Sequence, residues 1–449
     1  MRRFFTISVI FIFLFYSCGS DDNSRQKVSD EQRIIGKEES QRIVLMTGDR
    51  DEFHSESSFE SIRKKKLTDM GMLNIPPPVI TPDIQAVEKA IDNPEFFNIN
   101  VRIFNSKELK IPSYPFDYEN DISALNRLYK SHNLDNIVNN RMKKLQKLQA
   151  LMIYTYNFFA GGTEPNPETD IGPSAEVITK LRREKNVGGT SKHYTALLCQ
   201  LALSCGFNAR IISMHSFDEN EKVLTHDVCE IYLNDFDKWA VFDAYNRATC
   251  YFRDNIPQSA LELREVMLNQ NYRVLDVFSG IGDFTNIISV REKMLPRYKY
   301  LYMWRMNDIL SKSPKGGSIP WQALYQTHLV WEDEMAPVAE GGFDKFDKFN
   351  SNENIDYPLN GVRFVTHDRG DFNWPLNHVS INVERTGQED IILYFDTITP
   401  NFDSFEIVDF GIKRQREYTY KLGKSITFRI RSVNKFGMLG PASRLSFSL

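Results

Sequence analysis

Residues 188–210 read Gly188-Gly189-Thr190-Ser191-Lys192-His193-Tyr194-Thr195-Ala196-Leu197-Leu198-Cys199-Gln200-Leu201-Ala202-Leu203-Ser204-Cys205-Gly206-Phe207-Asn208-Ala209-Arg210. The paired glycines break whatever precedes them, and the run from Ser191 to Cys205 predicts a strongly apolar helix stopped by Gly206. Such a turn delivers residue 191 to a helix start, where free N–H groups and the positive dipole end favour developing negative charge. Three strand-like runs follow, at Ala209 to Met214, Asp227 to Leu233 and Trp239 to Phe242. The second is preceded by His226, in His226-Asp227-Val228-Cys229-Glu230-Ile231, and the third ends in Lys238-Trp239-Ala240-Val241-Phe242-Asp243. A histidine on one strand and an aspartate at the end of the next can converge on that helix start. Their chain order is nucleophile position, base, orienting carboxylate, the logic of a catalytic triad.

Upstream, Leu125, Leu128, Leu134 and Ile137, then Leu145, Leu148, Leu151 and Met152, recur at helical steps between Ile122 and Phe159. Ser174 to Lys185 predicts another short helix. Downstream, 251–335 reads as mainly helical, with aromatic residues Tyr298, Tyr300, Tyr302, Trp304, Trp321, Tyr325 and Trp331 packing back on the first domain. Gly341 to Asn354 is a charged linker, and from Tyr357 the period becomes two. Ile426, Phe428 and Ile430 alternate with Thr427, Arg429 and Arg431, as Leu445, Phe447 and Leu449 do with serines. The turn signal Asn434-Lys435-Phe436-Gly437 lies between these runs. The expected fold class is α+β: one mixed domain, then an antiparallel β-sandwich.

The chain has 449 residues, 41% hydrophobic and 25% charged, enough to bury large cores. Fifty-five basic residues against 59 acidic ones give a net charge of -4, with no footprint for nucleic acid. Five cysteines cannot staple a chain of this length. Gly280-Ile281-Gly282 lacks the third glycine of a dinucleotide loop. Asp344, Asp347 and Asn350 lack calcium-loop spacing, and no His/Cys set has zinc spacing. No cofactor and no metal is expected.

Met1-Arg2-Arg3 is followed by an apolar run from Phe4 to Tyr16, the length of a signal-peptide core, and then by Ser17-Cys18-Gly19. This resembles a bacterial lipoprotein signal, with Phe15 at the usual leucine position. The resemblance implies cleavage after residue 17, lipidation of Cys18, and a chain anchored in the cell envelope, at the outer membrane on its periplasmic or surface face. Residues 18–95 then read as a polar tether and irregular segment.

The glycine turn, the helix ending in Gly206-Phe207-Asn208-Ala209-Arg210, the histidine opening a strand and Trp239-x-x-Phe242-Asp243 resemble the transglutaminase-like superfamily of papain-type folds. Asp243-Ala244-Tyr245 and Gln258-Ser259-Ala260-Leu261-Glu262-Leu263 resemble the stretch after the aspartate in bacterial envelope members. The likeness covers about 105–290. It implies a transglutaminase-like domain over 96–295, an aromatic-rich connector over 296–355 and a fibronectin III- or Ig-like sandwich over 356–449. It also implies His226 as general base, Asp243 as its orienter and an upstream oxyanion aromatic, Tyr154 or Tyr156.

The family's nucleophilic cysteine falls on Ser191. A thiol with a pKa of ~8.5 is readily ionised by a helix terminus and an imidazolium, whereas a hydroxyl needs concerted base catalysis. The expectation is therefore a catalytically degenerate site that binds a peptide- or glycan-linked amide. Two alternatives stand beside it: an active amide hydrolase or acyltransferase using Ser191, His226 and Asp243, and a structural surface-assembly lipoprotein whose sandwich meets a partner. Cys199, Cys205, Cys229 and Cys250 are not placed to replace residue 191, and any disulfide among them is left open. His193 is either part of the site or a solvent-facing residue.

Overall fold

The structure is a computed structural model. It describes residues 89–90 and 100–104, most of 109–333 outside 164–171, 218–222, 281–294 and 320–327, and most of 364–448. The signal-like segment, Cys18, nearly all of the tether, Trp321, Tyr325 and the 341–354 linker lie outside the described residues.

Helices α1 (Ile122–Ser131), α2 (Lys144–Phe159), α3 (Ala175–Lys185) and α4 (Ser191–Ser204) occupy the segments expected to be helical. Asp121 starts α1 by accepting the Ala124 N–H at 2.9 Å. Helix α4 is buried at every position from His193 to Ser204, so it presents no hydrophilic face. It lies between a sheet and the other three helices.

In chain order, strands β1 (Lys89–Ala90) and β2 (Asn100–Phe104) precede the helices. After α4 come β3 (Ala209–Phe217), β4 (Val223–Leu233), β5 (Lys238–Asp243), β6 (Thr249–Arg253) and β7 (Ile256–Pro257). Helix α5 (Ala260–Leu268) leads to β8 (Asp276–Ser279), β9 (Tyr300–Trp304), β10 (His328–Trp331) and β11 (Phe364–Thr366). The remaining strands are β12 (Ser380–Arg385), β13 (Asp390–Asp396), β14 (Phe402–Ile407), β15 (Gly411–Lys413), β16 (Glu417–Lys421), β17 (Ile426–Asn434) and β18 (Ser443–Ser448).

The central sheet has nine strands, ordered β11-β10-β9-β3-β4-β5-β6-β7, with β8 pairing β6. Strands β3 and β4 pair without a register shift from Ala209↔Ile231 to Phe217↔Val223, so side-chain alternation holds throughout that stretch. One face of the sheet carries α4. The other is covered by α5, Tyr298, Phe372 and Trp374, which share a core with Met214, Val228 and Val241.

Two further antiparallel sheets, β1-β2-β18-β17-β14-β15 and β12-β13-β16, contribute to a second core. Val101, Ile103, Phe428, Leu445 and Phe447 enter it from the first sheet, and Ile381, Ile391, Leu393 and Phe395 from the second. The two-residue period at Leu445 and Phe447 is that of a strand buried on one face.

Three sequence expectations need correction. Strand β2 pairs with β18, so residues 100–104 belong with the C-terminal sheets and not with the 96–295 domain. The expected connector over 296–355 supplies β9 and β10 to the central sheet, and β11 joins them by parallel pairing with β10. The segment 251–335 is also not mainly helical: among its described residues, α5 is the one α-helix longer than the single turn Ile309–Lys312. Tyr300-Leu301-Tyr302-Met303-Trp304 is buried at four of its five positions, so it lacks the alternation that marks a half-exposed strand.

Gly206 ends α4 with φ +86°, and a Cβ there would lie 2.6 Å from the Phe436 Cβ. Both the left-handed backbone and the close approach of the β17–β18 turn require glycine. Gly206→Ala is expected to cost about 2 kcal/mol, read as a lower urea midpoint at unchanged slope.

Candidate functional site

Thr190 caps α4, and its N–H donates to His193 Nδ1 at 3.0 Å, closing a capping box. Burial, helped by neighbouring Lys192, lowers the His193 pKa to about 4, so the ring is a neutral acceptor. His193 is 8% exposed and serves the helix end, not solvent.

Ser191 is the first residue of α4 and is half-buried. Its Oγ–H donates to Asp227 Oδ2 in a long hydrogen bond of 3.5 Å. One turn later, Thr195 Oγ1 donates to the Asp227 carbonyl at 2.8 Å, pinning the helix to β4. Ser213, opposite Asp227 on β3, donates to Asp227 Oδ1. Trp304 Nε1 in turn donates to Ser213 Oγ at 2.9 Å. Asp227 is 2% exposed, so this carboxylate is held by hydroxyls in a water-poor setting.

Strand alternation sends the neighbouring His226 the other way, to the face of Met214, its cross-strand partner, and Val228. There His226 Nε2 lies 2.7 Å from Asp243 Oδ2, both residues being 1% exposed. Nε2 is the ring nitrogen that faces the carboxylate, and Nδ1 has no hydrogen-bond partner among the described residues. Asp243 Oδ1 accepts the Asn246 N–H at 3.0 Å, so the turn after β5 fixes the carboxylate. That turn uses left-handed backbone at Arg247 and Ala248. It sets Tyr245, 44% exposed, with its ring 5.8 Å from that of His226 and 5.2 Å from that of Tyr194.

Of the residues singled out from sequence, the fold brings His226 and Asp243 together and gives Ser191 to Asp227. No hydrogen bond joins Ser191 to His226 among the described residues. The two oxyanion candidates diverge. Tyr154 Oη is 2.8 Å from Nδ1 of buried His132, whose Nε2 is 2.8 Å from Thr179 Oγ1. Tyr156 stacks near Tyr194, with centroids 6.4 Å apart, on the aromatic side of the helix start. Read from sequence, Asp227, Ser213, Trp304 and Tyr245 have no role at the site. The only available signal was that a residue beside a strand histidine must face the opposite side, here the side of the helix.

Cys199, Cys205, Cys229 and Cys250 are free thiols. Burial pushes Cys205 up to about 12 and holds Cys229 and Cys250 above the ordinary thiol range, so these side chains pack as apolar groups. Among the described residues, no group of three or more His, Cys, Asp or Glu side chains could hold a metal ion. A small, shallow pocket lies at the other end of α4, lined by residues including Glu119, Gly206, Asn307, Asn401 and Asn434.

No family model matches the sequence, and no curated protein matches it. Among solved structures, a candidate cysteine protease from Cytophaga hutchinsonii aligns at 16% identity over 40% of this chain and 59% of its own, with a TM-score of 0.20. Red sea bream transglutaminase aligns at 11% identity over 72% of this chain and 52% of its own, with a TM-score of 0.25. The chain thus spans a little over half the length of either structure, and both scores are too low to define the fold.

Proposed function

We propose that this chain is a lipid-anchored cell-envelope protein whose transglutaminase-like domain binds a peptide- or glycan-linked amide without turning it over. One observation carries the reading: the Ser191 hydroxyl reaches Asp227 Oδ2 at 3.5 Å and makes no hydrogen bond to His226 among the described residues, while the His226–Asp243 pair is buried at 1% exposure with Tyr245 beside it. A serine nucleophile needs an imidazole acceptor to take its proton as it attacks. A carboxylate that already accepts this hydroxyl offers no such relay through His226. What supports the transglutaminase-like assignment is the chain order of the three positions and the pairing of the histidine with the aspartate on the next strand. The C-terminal sheets would then present the domain to its ligand or to a surface partner.

The test is covalent labelling of the full-length mature protein by a fluorophosphonate probe, with peptide mass analysis at Ser191. No label is expected, and no more than background hydrolysis of amide and ester substrates. Rapid labelling of Ser191 that disappears in His226→Ala would establish a working Ser-His-Asp hydrolase and remove the degenerate reading.

A further inference from the structure

We propose that Asp227 is the residue that holds position 191 inert, a buried carboxylate acting against any nucleophile at the start of α4. This rests on reading position 191 as the ancestral nucleophile site.

The surroundings of that position pull in two directions. As the first residue of a fourteen-residue helix it lies beside the N–H groups of the first turn, which favour an anion there. Against this stands Asp227, 2% exposed, its Oδ2 accepting from Ser191 and its Oδ1 from Ser213, which Trp304 backs from β9. A hydroxyl suits this arrangement because it donates to the carboxylate without acquiring charge. An alkoxide, a thiolate or the oxyanion of an acyl intermediate would set like charges together in a site with little water to screen them. The unbroken β3–β4 register makes the placement compulsory. With His226 turned to Met214 and Asp243, residue 227 must face α4.

The other titratable groups near this helix start lie on α2, α3, α4, β4 and the turn after β5. His193 is neutral and occupied by Thr190. His226 is paired with Asp243. The cations are Lys192, on the helix itself, and Arg182 on α3, whose charge acts on Tyr194, and the phenols are those of Tyr156, Tyr194 and Tyr245. Asp227 is therefore a positioning residue that keeps the hydroxyl oriented and uncharged.

The experiment places a thiol at the position and then removes the charge opposite it. Full-length mature Ser191→Cys and Ser191→Cys/Asp227→Asn proteins are alkylated with iodoacetamide from about pH 6 to about pH 10, and the peptide holding position 191 is quantified by mass. The single variant is expected to ionise at or above the ordinary thiol value, and the double variant to react about tenfold faster at neutral pH with its midpoint shifted down. Superimposable profiles, or a slower double variant, would overturn the role of Asp227 while leaving the site itself intact. A thiol that reacts fast in both, and only while His226 is present, would overturn the inert-site reading as well.

A second measurement needs no alkylation. Ser191→Ala, Asp227→Asn and their combination are compared by urea unfolding. Non-additivity of about threefold or more in the unfolding constant is expected for groups in contact, and additive effects would end the proposal.

Discussion

Arg210→Ala is expected to destabilise the protein by about 3–5 kcal/mol, the cost of leaving a buried carboxylate unpaired. Arg210 is fully buried, and its Nε and Nη2 both donate to Glu230 Oε2, the former at 2.8 Å. The other Glu230 oxygen accepts the Ala260 N–H at 2.7 Å, at the start of α5. The guanidinium stacks 4.1 Å from the Trp239 ring and 4.8 Å from that of Trp374. Trp239 Nε1 donates to the Trp374 carbonyl and Trp374 Nε1 to Tyr118 Oη, which links β3, β4, β5, α5 and the 372–374 segment in one network. Removing the arginine strands Glu230 and opens a gap between two indoles, so the two losses add. Arg210→Lys should recover little, because an ammonium cannot reproduce the planar stacking. Urea unfolding followed by tryptophan fluorescence is the measurement. A loss below about 1 kcal/mol for Arg210→Ala would mean that the pair is not what binds these elements.

Cys18→Ala is expected to move the whole protein out of the membrane fraction, or to leave it as an unprocessed precursor. Among the described residues no helix is long and apolar enough to cross a membrane. Under the lipoprotein reading, the diacyl group at Cys18 supplies stable attachment, since one acyl chain alone binds a membrane only marginally. Fractionation with blotting, and metabolic labelling with a clickable fatty acid, read the two consequences separately. A variant that stays fully with membranes and is still processed would end the lipid-anchor reading, whatever the fate of the cleft.

Helices α1 and α2 were legible because each buries apolar residues at three- and four-residue steps, and Leu125, Leu128, Leu148 and Leu151 all lie at most 1% exposed. Gly206 was legible as a helix end for a local reason, its left-handed backbone. Strands β9 and β10 were not. Tyr300 to Trp304 and His328 to Trp331 are covered on both faces, and a run buried on both sides has no period to read. The partner of β2 was equally hidden, since pairing between Asn100–Phe104 and Ser443–Ser448 spans most of the chain.

Position 191 shows the same division at the scale of single side chains. Its place at a helix start, and the meeting of His226 with Asp243, follow from local spacing along α4, β4 and β5. Which side chain Ser191 touches does not. That depended on the β3–β4 register and on the docking of α4 against one face of the sheet, which together turn Asp227 toward the helix and His226 away from it. Local propensity decides where a helix begins and which residues alternate. Only packing decides which of two adjacent residues, a carboxylate or an imidazole, faces the start of α4, and here it is the carboxylate of Asp227.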